Sequence, residues 1–412
     1  MKRILTCFLS AMTLTTSAQV KNDPWLRELL QKSASPLLQS ILDQPDVYQY
    51  QLIYTEVKRD KQQRPTFTDH YLNVDRNRYF NPASTVKMPV AFAALEKLHR
   101  LKTVTATTPM LTDSSFSGQT AVLSDSSAEN GLPSIAHYVK KIFMVSDNDA
   151  YNRLYEFVGQ KTLNETLWKK GFSDIRITRR FVPMTAEENR HTNRIRFLNN
   201  GKTIYTQPAA YSDVSFRFPA SKILVGRGHW DKNDSLINTP MDFTEHNNLP
   251  LEDGHRLLRS VLFPESVAAK QRFNLTKEDY RMLYTYMSEL PFESRFPKYD
   301  TSEFFDSYTK FFFFRAGKQK IPEYIRVFNK AGWSYGFLTD YCYVVDFKNN
   351  IEFMLSATLY VNSDGILNDN KYEYEETGYP FFRETGNIIY EHELHKKREV
   401  VPDLNRWKHT YH

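Results

Sequence analysis

Cysteine is nearly absent from this chain, with two among 412 residues, Cys7 and Cys342. Cys7 falls inside an expected leader, so the mature chain would carry one thiol and no internal disulfide. An oxidising compartment is then tolerated without contributing to stability. Cys342, set among Tyr341, Tyr343, Val344 and Val345, reads as a packed strand thiol with no activating neighbour. Apolar runs long enough to span a bilayer are missing too. Residues 4–14 are apolar but too short for that. With Lys2 and Arg3 before them and Thr16-Ser17-Ala18 after, they predict an export signal over residues 1–18, cleaved before Gln19, and a secreted or periplasmic mature protein. A dense basic stripe is also lacking. Lys and Arg total 54 against 48 Asp and Glu, a net +6 that falls to +4 once Lys2 and Arg3 are removed. So mild and dispersed a charge argues against nucleic-acid binding. No internal repeat, low-complexity tract or flexible linker interrupts the chain. His392-Glu393-Leu394-His395 has its histidines three apart, the wrong spacing for H-E-x-x-H, so no zinc is expected.

What is present is an ordinary globular balance, 41% hydrophobic and 25% charged, with an unusually high 14% of aromatics. The aromatics imply a core rich in buried strands, and the length allows two intimately packed lobes. Residues 24–32 and 36–42 carry helical spacing of Leu and Ile. Residues 48–57 and 66–74 predict two antiparallel strands joined by a polar turn. Helices are expected over 88–98, 134–143, 150–158, 249–262, 276–290 and 385–396, the fifth capped by Thr276 with Asp279 in its first turn. Residues 304–314, with four consecutive phenylalanines from Phe311 to Phe314, predict a buried strand. Residues 341–347 and 351–360 predict a terminal hairpin turning at Lys348-Asn349-Asn350.

Ser84-Thr85-Val86-Lys87 places a hydroxyl and an amine one helical turn apart on one face. Serine alone is a poor nucleophile. A lysine at this spacing can take its proton if burial and nearby positive charge lower the amine pKa. Ser146-Asp147-Asn148 follows 62 positions later, between two predicted helices. There Ser146 can relay protons, while the Asn148 amide can hold a substrate carbonyl and brace the lysine. Asp147 fits a loop-fixing role, accepting from backbone amides. Lys330-Ala331-Gly332 opens a strand. Lys330 would bring positive charge near Ser146, and Gly332 would let substrate backbone lie close to the strand edge. Each fragment alone carries little information.

In this order the three fragments resemble the S-x-x-K, S-D-N and K-T-G motifs of class A β-lactamases and penicillin-binding proteins. Phe80-Asn81-Pro82-Ala83 before Ser84, Met144-Val145 before Ser146, and Ala150 and Asn152 after Asn148 match the family's texture. The resemblance covers about residues 48–172 and 326–390. It implies an α/β (α+β) fold, an antiparallel sheet flanked by helices with an inserted helical lobe. Residues 19–412 would form the catalytic domain: a sheet lobe from 45–100 and 322–412, a helical lobe from 101–192, and an extra inserted subdomain over about 193–321. It also implies a serine hydrolase that opens a β-lactam or related amide through an acyl-enzyme on Ser84. Lys87 would be the base, Ser146 the proton carrier to the leaving nitrogen, and the N–H groups of Ser84 and Trp333 the oxyanion donors. Asn148, Lys330, Gly332, Trp333 and Ser334 would line the substrate site. No cofactor or metal is required, and the expected partner is a small amide or ester met by a monomer.

Three departures qualify the substrate. Ala331 replaces the usual Thr or Ser of K-T-G, removing a hydroxyl that helps bind a carboxylate, with Ser334 as a possible substitute. Gly336-Phe337-Leu338-Thr339-Asp340 lacks the arginine that often supports that carboxylate. The water-activating E-x-x-L-N loop has only Glu187 and Glu188 as counterparts. Glu188 stands as the candidate for that role, with a helix-start role for these carboxylates as the alternative. A D-alanyl peptidase, amidase or esterase on the same residues, or a non-catalytic binding protein, are the rival readings.

Overall fold

The computed structural model describes residues 20–411; the expected leader, residues 1–18, lies outside them. Five antiparallel strands make the central sheet: β1 (Gln51–Arg59), β2 (Pro65–Leu72), β3 (Ile325–Ser334), β4 (Phe337–Asp346) and β5 (Ile351–Tyr360). Their order is β3-β4-β5-β1-β2. The sheet therefore joins both ends of the chain, at the β1–β5 pair where Gln51 faces Thr358. β3 and β4 run in unbroken register from Ile325↔Asp346 to Ser334↔Phe337. Their two-residue turn, Tyr335-Gly336, has φ of +54° and +81°, the left-handed pair that suits the twist of a tight hairpin.

Helices cover both faces of the sheet. On one side lie α1 (Pro24–Gln31), α2 (Pro36–Asp43) and a closing helix (Tyr379–His395). On the other lie α3 (Lys87–Leu98), α4 (Ile135–Val145), α5 (Asn148–Val158), α6 (Leu251–Leu262) and α7 (Lys277–Ser288), with the closing helix thus α8. This is the mixed α/β architecture expected, an antiparallel sheet flanked by helices. Caps read from the sequence hold locally. Thr276 and Asp279 form a reciprocal capping box on α7, and Gly159 stops α5.

Residues 304–314 differ from expectation. Phe311–Phe314 are all buried but do not form a strand; Phe312 is extended and Phe313 has φ +68°. A strand would turn alternate rings to opposite faces. The kink instead brings all four into one core, where Phe312 meets Phe382 of α8 at 5.0 Å between ring centroids. Within residues 193–321, α6 packs on β4 and β5, and α7 packs on α4 and β3. Ahead of them in the chain a small ribbon, Gly228–Trp230 paired with Leu236–Ile237, is tied to Ile366–Leu367 beyond β5.

Candidate active site

β3 is an edge strand, so its free side is open to whatever the fold brings beside it. What it meets is the start of α3. A short 3-10 turn, Ala83–Val86, carries Ser84 into that helix. Ala83 sits at φ +44°, a costly conformation for a residue with a Cβ. Asn81 Oδ1 holds it by accepting from the Ala83 N–H at 2.8 Å. The Thr85 N–H donates to the Pro82 carbonyl at 3.0 Å. Gly332 lies directly against this turn: a Cβ there would stand 2.6 Å from Ser84 N and 2.9 Å from Thr85 N.

Lys87 opens α3 and is fully buried. Its Nζ donates to the Ser146 carbonyl, and lies 2.7 Å from Asn148 Oδ1 and 3.2 Å from Ser146 Oγ. Ser146 can reach it because α4 ends there in a left-handed turn, φ +62°. Asp147 then caps α5, accepting from the Ala150 N–H at 2.8 Å, the loop-fixing role expected of it. From the far side Lys330 Nζ donates to the same Ser146 Oγ at 2.9 Å and to the Ala331 carbonyl at 2.5 Å. Two buried ammonium groups on one hydroxyl repel each other. Burial, then the Lys330 charge, pushes the Lys87 amine well below its usual range, with Asp147 opposing. Burial also lowers Lys330, to about 7, although Asp340 opposes it. A neutral Lys87 has two N–H bonds, enough for the Ser146 carbonyl and Asn148 Oδ1, and one lone pair free to take a proton.

Above this cluster opens a cleft of about 590 Å3, lined by Ser84, Asn148, Trp333 and Ser334 among others. Ser84 is half-buried at its floor. The structure thus brings together Ser84, Lys87, Ser146, Asn148, Lys330, Gly332, Trp333 and Ser334. Glu188 stands apart. It is a half-buried helix-start residue whose carboxylate accepts from Thr185 N at 2.7 Å and Thr185 Oγ1 at 2.8 Å, and it is not among the cleft-lining residues. Those bonds hold its pKa below the usual carboxylate range. Ala331 is fully buried in the core on the face that carries Leu338 and Cys342, so its side chain packs rather than lines the cleft.

Sequence reasoning missed the wall opposite β3, residues 178–181. Three asparagine side chains pin its backbone. Asn247 Oδ1 accepts from Thr178 N at 2.8 Å and Arg179 N at 3.2 Å, Asn189 Oδ1 from Arg180 N at 2.8 Å, and Asn152 Oδ1 from Phe181 N at 2.8 Å. Phe181 places its ring 5.2 Å from Lys87 Nζ. Arg179-Arg180 was visible as a basic pair, but no periodicity marks an irregular wall. Trp230 and Lys232 of the ribbon and its turn also line the cleft.

The comparison with known families bears on this arrangement. Residues 41–215 match the beta-lactamase enzyme family. That span contains Ser84, Lys87, Ser146 and Asn148. No curated protein matches the chain. Solved structures similar to it include a beta-lactamase from Xanthomonas campestris pv. campestris, 11% identical, covering 89% of this chain and 98% of that one with a TM-score of 0.49. The chromosome-encoded beta-lactamase of Vibrio parahaemolyticus is 12% identical, covering 87% and 100% at 0.49. A beta-lactamase from Sphaerobacter thermophilus is 13% identical, covering 86% and 96% at 0.47. The family match spans a continuous stretch that holds the first two motifs, while Lys330-Ala331-Gly332 lies beyond it. Among the described residues, no helix is long and apolar enough to cross a membrane.

Proposed function

We propose that this protein is an exported serine hydrolase of the β-lactamase type that forms an acyl-enzyme on Ser84. The observation that carries the proposal is the convergence of Lys87 and Lys330 on Ser146 Oγ, at 3.2 and 2.9 Å, in a buried cluster one helical turn from Ser84. Lys87, its amine pKa lowered by burial and by the Lys330 charge, removes the Ser84 proton as Oγ attacks the substrate carbonyl. The N–H groups of Ser84 and Trp333 receive the oxyanion. Ser146, oriented by Lys330, passes a proton to the leaving nitrogen. The substrate is a β-lactam or a related small amide or ester.

Intact mass of the mature protein over time, with penicillin and separately with a fluorophosphonate, tests this against Ser84→Ala. A penicillin adduct that Ser84→Ala abolishes is the expected result. A fluorophosphonate adduct alone would favour an esterase or amidase, and no adduct with either would sink the proposal. One observation supports slow release of the acyl group. The carboxylate of Glu188 is committed to Thr185, and the group beside Lys87 is the Phe181 ring. An adduct persisting for minutes or longer would fit a penicillin-binding role better than turnover.

The pH dependence should follow from the two lysines. Acylation needs Lys87 neutral, so its rate rises with pH through the depressed Lys87 pKa. It needs Lys330 charged, so the rate falls again above about 7, where Lys330 loses its proton. Lys330→Met should lower the rate at pH 6 and remove the alkaline limb. An alkaline limb unchanged in that variant would assign it to another group.

A further inference from the structure

The wall of residues 178–181 has a feature that the acylation chemistry leaves unused. Arg179 lines both the Ser84 cleft and an adjoining cavity of about 690 Å3. Unlike Arg180 beside it, which pairs with Glu156 at 2.9 Å, Arg179 makes no ion pair among the described residues. Its one side-chain partner is His246, with Nη1 3.0 Å from His246 Nε2. His246 is held neutral, its pKa lowered to about 4 by burial and by the Arg179 charge itself. It therefore orients the guanidinium without neutralising it. Only one of five N–H donors is spent this way.

The arginine is also rigidly carried. Its N–H donates to Asn247 Oδ1 at 3.2 Å, and its carbonyl accepts from Tyr151 Oη at 2.8 Å. Two carboxylates, Asp231 and Asp234, also line the cleft, and neither forms an ion pair with Arg179. Asp231 on the ribbon accepts from Asn233 N at 2.8 Å and Ser235 N at 2.9 Å, closing its own turn. A fixed, unpaired planar cation facing a cleft is suited to an anion that binds two-pronged.

We infer that Arg179 is the anion-recognition residue of this cleft, and that the acyl donor accepted at Ser84 carries a carboxylate that Arg179 binds. This rests on the acyl-enzyme reading and deepens it. The carboxylate would be held from the 178–181 wall, which lines the cleft together with Trp333 and Ser334 of β3. Arg179 thereby selects substrates by charge and does not take part in bond making.

The test uses a neutral fluorophosphonate as reporter of Ser84, with N-acetylglycine and N-acetylglycinamide as competitors that differ in one charge. In the wild type, N-acetylglycine is expected to slow labelling at about tenfold lower concentration than the amide, the effect of a hydrogen-bonded charge pair. Arg179→Gln should abolish that preference while leaving uncompeted labelling and the melting temperature nearly unchanged. Arg179→Lys should retain part of it. If Arg179→Gln does not fold, Arg179→Met takes its place. A full preference surviving in the Gln or Met variant, or none in the wild type, overturns the inference. Should the reporter fail to label wild-type protein, the acyl-enzyme reading falls instead. Titration of the same two competitors into wild type and Arg179→Gln, followed by NMR, then decides the anion site independently.

Discussion

Replacing Lys87 by methionine is expected to slow Ser84 acylation by a fluorophosphonate about 10^3-fold, within the range ascribed to general acid–base catalysis. The fluorophosphonate demands little beyond an activated nucleophile, so this rate isolates the base from substrate recognition. Methionine is unbranched and fills similar space, and Lys87 is fully buried, so the packing change is small. The polar loss is larger. The Ser146 carbonyl and Asn148 Oδ1 each lose a donor, a penalty of about 1–3 kcal/mol per unsatisfied group. Removing a buried amine with a depressed pKa offsets part of that cost. Thermal melting beside the labelling rate separates the two effects. A labelling rate within tenfold of wild type would show that Lys87 is not the base.

The second large effect concerns a residue with no side chain. Gly332→Ala should lower Ser84 acylation by about 10^2-fold, as expected when reacting groups shift by an ångström. The new methyl would stand 2.6 Å from Ser84 N, closer than nonbonded atoms allow. Neither side yields readily. β3 is locked to β4 in continuous register through Ser334↔Phe337, and the Ser84 turn is tied by Asn81 and Pro82. The strand edge would have to move away from the helix start, carrying Lys330 and the Trp333 N–H with it. Measured acylation equal to wild type would mean that this close approach has no part in the chemistry. Ala331→Ser is the matching control. Its side chain is buried in the core behind β3, so any loss there should appear in melting temperature rather than in cleft chemistry.

Much of this molecule was legible because it is local. The Ser84–Lys87 spacing follows from one turn of helix, and the Thr276–Asp279 box and the Gly159 stop follow from backbone groups within a few residues. The β1–β2 and β4–β5 pairs were signalled by alternation and turn residues. Residues 304–314 were misread because apolar runs of that length do not distinguish a strand from a buried kink. The anchored wall of 178–181 left no periodic trace, since its hydrogen bonds come from Asn152, Asn189 and Asn247, as far as 69 positions away. Glu188 drew attention by spacing, yet the same spacing from Thr185 makes it a capping residue.

By itself, the sequence determined which groups were available: a serine and lysine on one helical face, an SDN turn, a lysine and glycine on a strand, and the lack of a metal-ligand pattern. Such features depend on bond geometry within a turn or two. Only the tertiary structure decided that Lys87 and Lys330, with 59 and 184 positions separating them from Ser146, meet on its hydroxyl. It also decided that Lys87 is buried beside Lys330, which lowers its amine pKa, and that Arg179 lines the cleft without an ion-pair partner among the described residues. The physical reason is that a pKa is set by solvent exclusion and by the charges packed around a group. Those neighbours are assembled by folding and have no fixed place along the chain.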